Sequence, residues 1–238
     1  MQSENQIVRL LDAPKYGPLQ VAYGKALRWH FEVFRKSKYV GCVLEHVAGI
    51  PVVVLPGVLN PKLMRTGEFF AQQLGSGAID SHAEILDMGT GSGVCAIVAA
   101  RNGRRVVAVD INPTAVRCAR TNVFLNDVSD RVEVLQSDLF ANVRGQRFDV
   151  VLFNPPFVRG VPEDDADRAW RSVDVAERFA AQLASHLKPR GFALVLLSTY
   201  GDAPHFLRQF DRNGFAITEF AQREFINEKL RIFKIAHA

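Results

Sequence analysis

The chain has 238 residues, of which 48% are hydrophobic and 23% charged, with a net charge of +4. That length suits one α/β domain with an addition, and the ordinary composition excludes a wholly disordered chain. No apolar run reaches the roughly 18 residues of a membrane helix, and the start, MQSENQIVRL, has no signal-peptide pattern. Mild basicity permits an RNA or ribosomal partner without requiring one.

Residues 1–50 read as an N-terminal helical and hairpin addition, a candidate substrate-recognition cap, and 51–238 as the main domain. Pro14, Gly17 and Pro18 break the start. A basic, aromatic helix is predicted over about 24–38. Two β-branched runs, VGCVLEHVAG and IPVVVLPG, meet at Gly49 and Pro51 and predict a hairpin. TGEFFAQQL predicts a helix that Thr66 can cap. From Glu84 the pattern alternates strand and helix. Strands are predicted at EILDM, RVVAVDI, RVEVLQSDL, FDVVLFNPP and FALVLLST. Helices lie between the first three strands and between the last two, the longest over DVAERFAAQLASHLKPRG, and PHFLRQFDRNG is a helix after the fifth. FAITEFAQ and KLRIFKIAH then predict an antiparallel pair. The expected fold is a doubly wound, Rossmann-like α/β structure. Its seven-stranded sheet is mostly parallel, with one reversed strand near the C-terminal edge.

The three cysteines, Cys42, Cys95 and Cys118, are odd in number and widely spaced. Buried reduced thiols are expected, and with them a cytoplasmic setting. The six histidines show no ligand spacing, so no metal is expected.

The first predicted strand of the alternating region runs into Asp87-Met-Gly89-Thr90-Gly91-Ser-Gly93. Alternate glycines between a strand and a helix let the backbone turn tightly and let a ligand approach it. The second strand ends in Asp110, followed by Ile111, about twenty residues beyond the loop, where a carboxylate can accept from ribose hydroxyls. The alternative is a capping Asp ahead of Asn112 and Pro113. A carboxylate at Asp87 disfavours a pyrophosphate and suits a cofactor with a positively charged amino group, S-adenosylmethionine (SAM). A nicotinamide-dependent oxidoreductase is the rival that Asp87 and the glycine spacing oppose. At the end of the third strand, Asp138 can accept an adenine N–H while Leu139 packs the ring; a turn-forming Asp is the alternative.

Asn154-Pro155-Pro156-Phe157 closes the fourth strand. Two prolines fix their own φ and push the preceding residue to extended geometry, giving a stiff corner. An amide or aromatic amine is a poor nucleophile because its lone pair is delocalised. Oxygen acceptors from the Asn154 side chain and the Pro155 carbonyl would orient such an NH2 toward an activated methyl. Orientation of this kind can lower a barrier by roughly 7–11 kcal/mol. Phe157 would stack on the flat target. A non-catalytic binding module of the same fold is a further rival, opposed by the intact corner.

ILDMGTGSG, VDINP, SDLF and FNPPF together resemble the class I SAM-dependent methyltransferases of the small-domain group bearing N-P-P-[FY]. The resemblance implies a SAM site of Asp87, Gly89, Thr90, Gly91, Gly93, Asp110, Ile111, Asp138, Leu139 and Asn154. It implies catalytic roles for Asn154, Pro155 and Phe157, and substrate contacts at Pro156 and Phe157. Read from the residues alone, Arg65 and Thr66 could touch the methionine carboxylate or the acceptor, with plain helix capping as the alternative. Two subfamilies compete. DMGTGSG, VDINP and Arg223…Asn227-Glu228…Leu230 look like the HemK-type glutamine methyltransferases, whose targets are release factors or ribosomal proteins. LPGVLNPKLMRTGEFF and Phe157 are similar to the ribosomal RNA guanine-N2 enzymes, HemK-type chains usually carrying Tyr there. The HemK-type reading is slightly preferred, with an RNA base or a small amine as alternatives. The acidic run Glu163 to Asp167 leans toward protein. Trp170 is read as a packing anchor or a lid residue.

Overall fold

The computed structural model describes residues 41–75, 79–101, 104–164, 167–226 and 228–238. The helix expected over 24–38 lies outside them.

The hairpin forms as β1 (Val43–Val47) and β2 (Ile50–Val54), antiparallel with Val47 opposite Ile50. Helix α1 spans Thr66–Leu74. Then β3 (Glu84–Met88), α2 (Val94–Arg101), β4 (Arg105–Asp110), α3 (Pro113–Leu125), β5 (Val132–Gln136) and β6 (Phe148–Phe153) alternate. A two-residue parallel ladder follows, β7 (Val158–Arg159) with β8 (Arg171–Ser172). The chain ends with α4 (Val175–His186), β9 (Leu187–Ser198), α5 (Ala203–Arg212), β10 (Phe215–Glu224) and β11 (Lys229–His237).

Seven strands form one sheet in the order β10-β11-β9-β6-β3-β4-β5. β11 runs antiparallel to both neighbours, and the central pairs are parallel. This is the expected architecture, including the single reversed strand one place in from the edge. Both faces are covered, so strand residues alternate between two apolar layers rather than between core and water. On β6, Val150 and Leu152 face the layer of α1, α2, α3 and the hairpin. Val151 and Phe153 face the layer of α4 and α5. That is why FDVVLF carries no polar alternation beyond Asp149.

Several boundaries differ from the predicted ones. The third and fourth strands of the alternating region stop at Gln136 and Phe153. The second case follows from the prolines, which have no N–H to give a ladder. The long predicted helix stops at His186, because Leu187 already pairs with Phe148 and Pro189 could not extend a helix. Cys95 and Cys118 are buried, but Cys42 is exposed: it precedes the hairpin instead of lying within it.

The hairpin is fastened to the sheet by one side chain. Asn122 on α3 is fully buried. Its Oδ1 accepts from Val53 N at 2.7 Å, and its Nδ2 donates to Val53 O at 2.7 Å and to Ser92 O at 2.8 Å. Asn122 thereby imitates a neighbouring strand for β2 and ties it to the glycine loop. Asn126, one turn on, donates to Pro51 O at 2.9 Å. Replacing Asn122 by Leu strands these backbone groups at about 1–3 kcal/mol each. We expect Asn122→Leu to lose several kcal/mol of stability in urea unfolding and to raise amide exchange across 43–54. Unchanged protection there would show that apolar packing alone holds the hairpin.

Candidate active site

The sheet register sets the site. Met88 on β3 lies opposite Phe153 on β6. The residues that follow, Gly89 and Asn154, therefore leave adjacent strands, which lie about 4.8 Å apart, at the same level. The glycine loop and the proline corner are neighbours at the carboxyl edge of the sheet.

Gly89, Gly91 and Gly93 all have positive φ (67°, 56° and 84°), as the alternate spacing implied. Nothing lies within 4 Å of where a Gly91 Cβ would point, so the loop faces open space there. A Cβ on Gly93 would instead lie 3.2 Å from Ala119 of α3, so that glycine serves close packing as well as the turn. Thr90 N donates to Val109 O at 3.0 Å and Gly93 N to Thr90 O at 2.8 Å, which fixes the loop's shape.

Two carboxylates hold the loop. Asp87 is buried, and its Oδ2 accepts from the Thr90 hydroxyl at 2.6 Å. Burial pushes its carboxyl from the ordinary 3.8 up to about 7, against the hydrogen bonds from Thr90 and from the backbone of Ala96. Asp110 accepts from Gly91 N and from Asn112 N, each at 2.9 Å, and burial raises its carboxyl too. Asp110 thus orders the loop and the strand end. Each oxygen keeps further lone pairs for a ligand hydroxyl. Capping of α3 falls to Asn112, whose side chain accepts from Thr114 N at 2.8 Å, with Pro113 in the first turn. Ile111 is a large apolar residue left 40% exposed beside Asp110, where it can cover a ligand ring.

At the end of β5, Asp138 is tied up more than the sequence indicated. Its Oδ2 takes the Arg178 guanidinium at 2.7 Å. Leu139 is buried with φ 46°, held by the Ser137 hydroxyl donating to its carbonyl at 2.7 Å. Arg178, from α4, is a neighbour of this region that sequence reasoning missed. Only its charge hinted at a partner.

At the corner, Pro155 is buried, whereas Asn154, Pro156 and Phe157 are half-buried. Asn154 Nδ2 donates to Thr66 Oγ1 at 3.3 Å. Thr66 does not cap α1: it is the first helical residue, and the N-cap is Arg65 at φ 60°, with no side-chain capping bond. The hydroxyl that was expected to serve the helix orients the amide instead. That bond leaves Asn154 Oδ1 as a buried acceptor without a hydrogen-bond partner among the described residues. Pro155 and Pro156 carry no N–H, so their part of the corner offers carbonyl acceptors and no backbone donor.

Phe157 is set from below by Gly201, a residue that local pattern does not single out. A Cβ at Gly201 would lie 2.5 Å from Phe157 Cβ and 2.7 Å from its carbonyl oxygen. Asp202 N donates to that same carbonyl at 3.1 Å. Beyond Phe157, Val158 N donates to Trp170 O at 2.8 Å, so the predicted loop closes on itself through β7 and β8. Trp170 is half-buried at the start of this ladder.

Comparison with known proteins identifies the family and the fold. The family described as "Methyltransferase small domain" matches residues 50–221. A Methanocaldococcus jannaschii chain, named provisionally as a protein N5-glutamine methyltransferase, is 31% identical over 158 residues, covering 63% of this chain and 79% of that one. The ribosomal RNA small subunit methyltransferase C of Alcanivorax borkumensis is 33% identical over 152 residues, covering 63% of this chain but only 43% of its own length. The solved Thermus thermophilus 16S rRNA N2 G1207 methyltransferase, in complex with AdoMet and guanosine, superposes with a TM-score of 0.60 at 21% identity. That match covers 83% of this chain and 50% of the other, and shows the shared fold.

Two tests follow from the geometry. Gly201→Ala should push Phe157 out of place, leaving donor affinity by calorimetry unchanged while turnover falls at least about tenfold, the effect of a small misplacement at a reacting centre. Full turnover would remove Phe157's position from the account. Asp87 binds its proton more tightly when folded than unfolded. Its stabilising contribution is therefore complete below 3.8 and lost as pH rises to about 7. Urea midpoints of the wild type should fall between pH 5 and 7.5 more than those of Asp87→Asn; parallel profiles would contradict the burial argument.

Together, the glycine cradle, the acid-tipped strand, the acceptor corner and the family match place this chain in the methyltransferase small-domain family as a SAM-dependent methyltransferase.

Proposed function

We propose that the protein methylates the side-chain amide nitrogen of a glutamine in a protein substrate. The observation that carries this is Asn154 Oδ1, an acceptor shielded from water and left without a partner among the described residues. Such an atom costs about 1–3 kcal/mol. An NH2 group arriving from an acceptor would relieve that cost.

Gly89, Thr90, Gly91 and Gly93 would hold the amino-acid part of SAM, Asp110 and Ile111 its ribose, and Asp138 and Leu139 its adenine. Asp87 acts through Thr90. Arg178 neutralises one side of Asp138, so that residue's adenine role uses the remaining lone pairs. Bound SAM supplies an electrophilic methyl group. The chain supplies direction. Thr66 fixes the Asn154 amide, so Oδ1 faces the acceptor. The Pro155 carbonyl takes the second N–H, and Phe157 and Pro156 flank the plane of the group. Both acceptors also stabilise the positive charge that grows on nitrogen. Asn154 also borders the donor, being next to Gly89 across β3 and β6.

A planar base presents the same NH2, so the corner alone does not choose between protein and RNA. The charge beside it favours protein. Glu163 and Asp164 are exposed in the loop beyond Phe157, and they would repel phosphates. The first relative above is likewise named for glutamine methylation. Phe157 in place of the HemK-type Tyr, together with the ribosomal RNA relative, supports guanine N2 as the second reading.

Asn154→Ala should bind SAM as the wild type does and lose at least about a hundredfold in turnover, the scale seen for removal of one preorganised polar group. Undiminished turnover would take Asn154 out of the mechanism. Labelled SAM incubated with the enzyme and cell extract should leave label that protease removes and ribonuclease spares. Label lost to ribonuclease would establish the RNA reading instead.

A further inference from the structure

The start of β11 and the start of α1 meet at the mouth of the acceptor corner, and the mechanism above uses neither charge found there. Two consecutive residues make the link. Thr66 reaches Asn154 on one side. Arg65 reaches the turn between β10 and β11 on the other, its guanidinium lying 4.8 Å over the Phe225 ring. That turn is closed by Phe225 N donating to Glu228 O at 2.7 Å. Arg65 sits at φ 60°, a backbone region uncommon for residues other than glycine and frequent where a side chain must be aimed.

Glu228 is held just as firmly. Its Oε1 accepts from the Ser198 hydroxyl at 2.6 Å. The Ser198 oxygen in turn accepts from Tyr200 N at 3.1 Å, so the hydroxyl proton is committed to Glu228. Register places these groups beside the corner. Phe153 lies opposite Val195 in the parallel pair β6 and β9, so Ser198 stands two residues beyond the level of Asn154, about 7 Å along the strand direction. Leu230 pairs with Ser198, which brings Glu228 to the same edge. Arg65 and Glu228 form no ion pair within 4 Å among the described residues; burial raises the Glu228 carboxyl above its ordinary value, against the Ser198 hydrogen bond and the Arg65 charge. Phe225 holds the guanidinium by its ring face. What results is a cationic donor and a carboxyl acceptor, held apart and each anchored from behind.

We propose that Arg65 and Glu228 read the main-chain amide of a polypeptide acceptor beside the corner that holds its side-chain NH2. Glu228 accepts the amide N–H and Arg65 donates to the carbonyl. A main-chain amide carries one acceptor and one donor and can meet both. A protonated aliphatic amine, which only donates, would meet Glu228 alone. This inference rests on the protein-amide reading above and assigns these residues as specificity determinants for it.

The test is ligand-observed NMR titration of N-acetylglutamine N-methylamide, which has flanking main-chain amides, and of butyramide, which has only the terminal one. The protein is the full chain saturated with S-adenosylhomocysteine. Arg65→Met and Glu228→Met should each weaken the glutamine compound about tenfold or more, the worth of one hydrogen bond to a charged group. Butyramide and S-adenosylhomocysteine affinities should stay unchanged. Glu228→Gln, which keeps an oxygen acceptor, should recover part of the loss and serves if Glu228→Met does not fold. Arg65 is exposed, so its variant reports independently. Equal weakening of both amides, or no weakening of either, would overturn the inference while leaving the protein-amide reading intact. Binding of guanosine in place of either amide by the wild type, or binding of none of the three, would overturn both.

Discussion

Two parallel strands ending at one level are what the rest of the molecule depends on. β3 and β6 pair from Ile85 and Val150 to Met88 and Phe153, and both are covered on each face by apolar layers. Neither strand can shift by one residue without turning buried side chains over to the wrong layer. The glycine loop and the proline corner inherit that precision. A donor loop and an acceptor corner on separate supports would need some other device to stay in register.

Around that pair the fold places groups that order the loop and the corner. Asn122 ties the hairpin to Ser92 of the glycine loop. Asp110 bridges the loop and the end of β4. Thr66 turns the Asn154 amide, and Gly201 sets the height of Phe157. Several costs sit in the same region: a buried carboxyl at Asp87, left-handed backbone at Arg65 and Leu139, and an oxygen at Asn154 unpaired among the described residues. Left-handed backbone also occurs away from it, at Ala48 and Asp127, so strain marks the site only in combination with the unpaired oxygen.

Much of this was legible in the sequence. The strand–helix alternation, the reversed β11, the three positive-φ glycines and the stiff corner all rest on local pattern or turn chemistry, which act over a few residues. What escaped reading depends on distant contacts. Arg178 lies 40 residues from Asp138, and Thr66 lies 88 from Asn154. Thr66 reads from sequence both as a cap and as an acceptor contact; only the fold shows that its hydroxyl meets Asn154. Gly201 looked like any turn glycine until Phe157 was found above it. The extension of β9 back to Leu187 was hidden because LASHLKPR carries a helical pattern, and pairing with Phe148 overrides it.

The account turns on the direction of one side-chain oxygen. A crystal structure of the protein with S-adenosylhomocysteine and a glutamine-containing peptide would test it most directly. The account predicts Asn154 Oδ1 within hydrogen-bond distance of the peptide's carboxamide nitrogen, with the cofactor's sulfur facing that nitrogen from beside residues 89–93. A cofactor bound away from the glycine loop, or an Asn154 amide turned toward protein with the target NH2 held elsewhere, would contradict it.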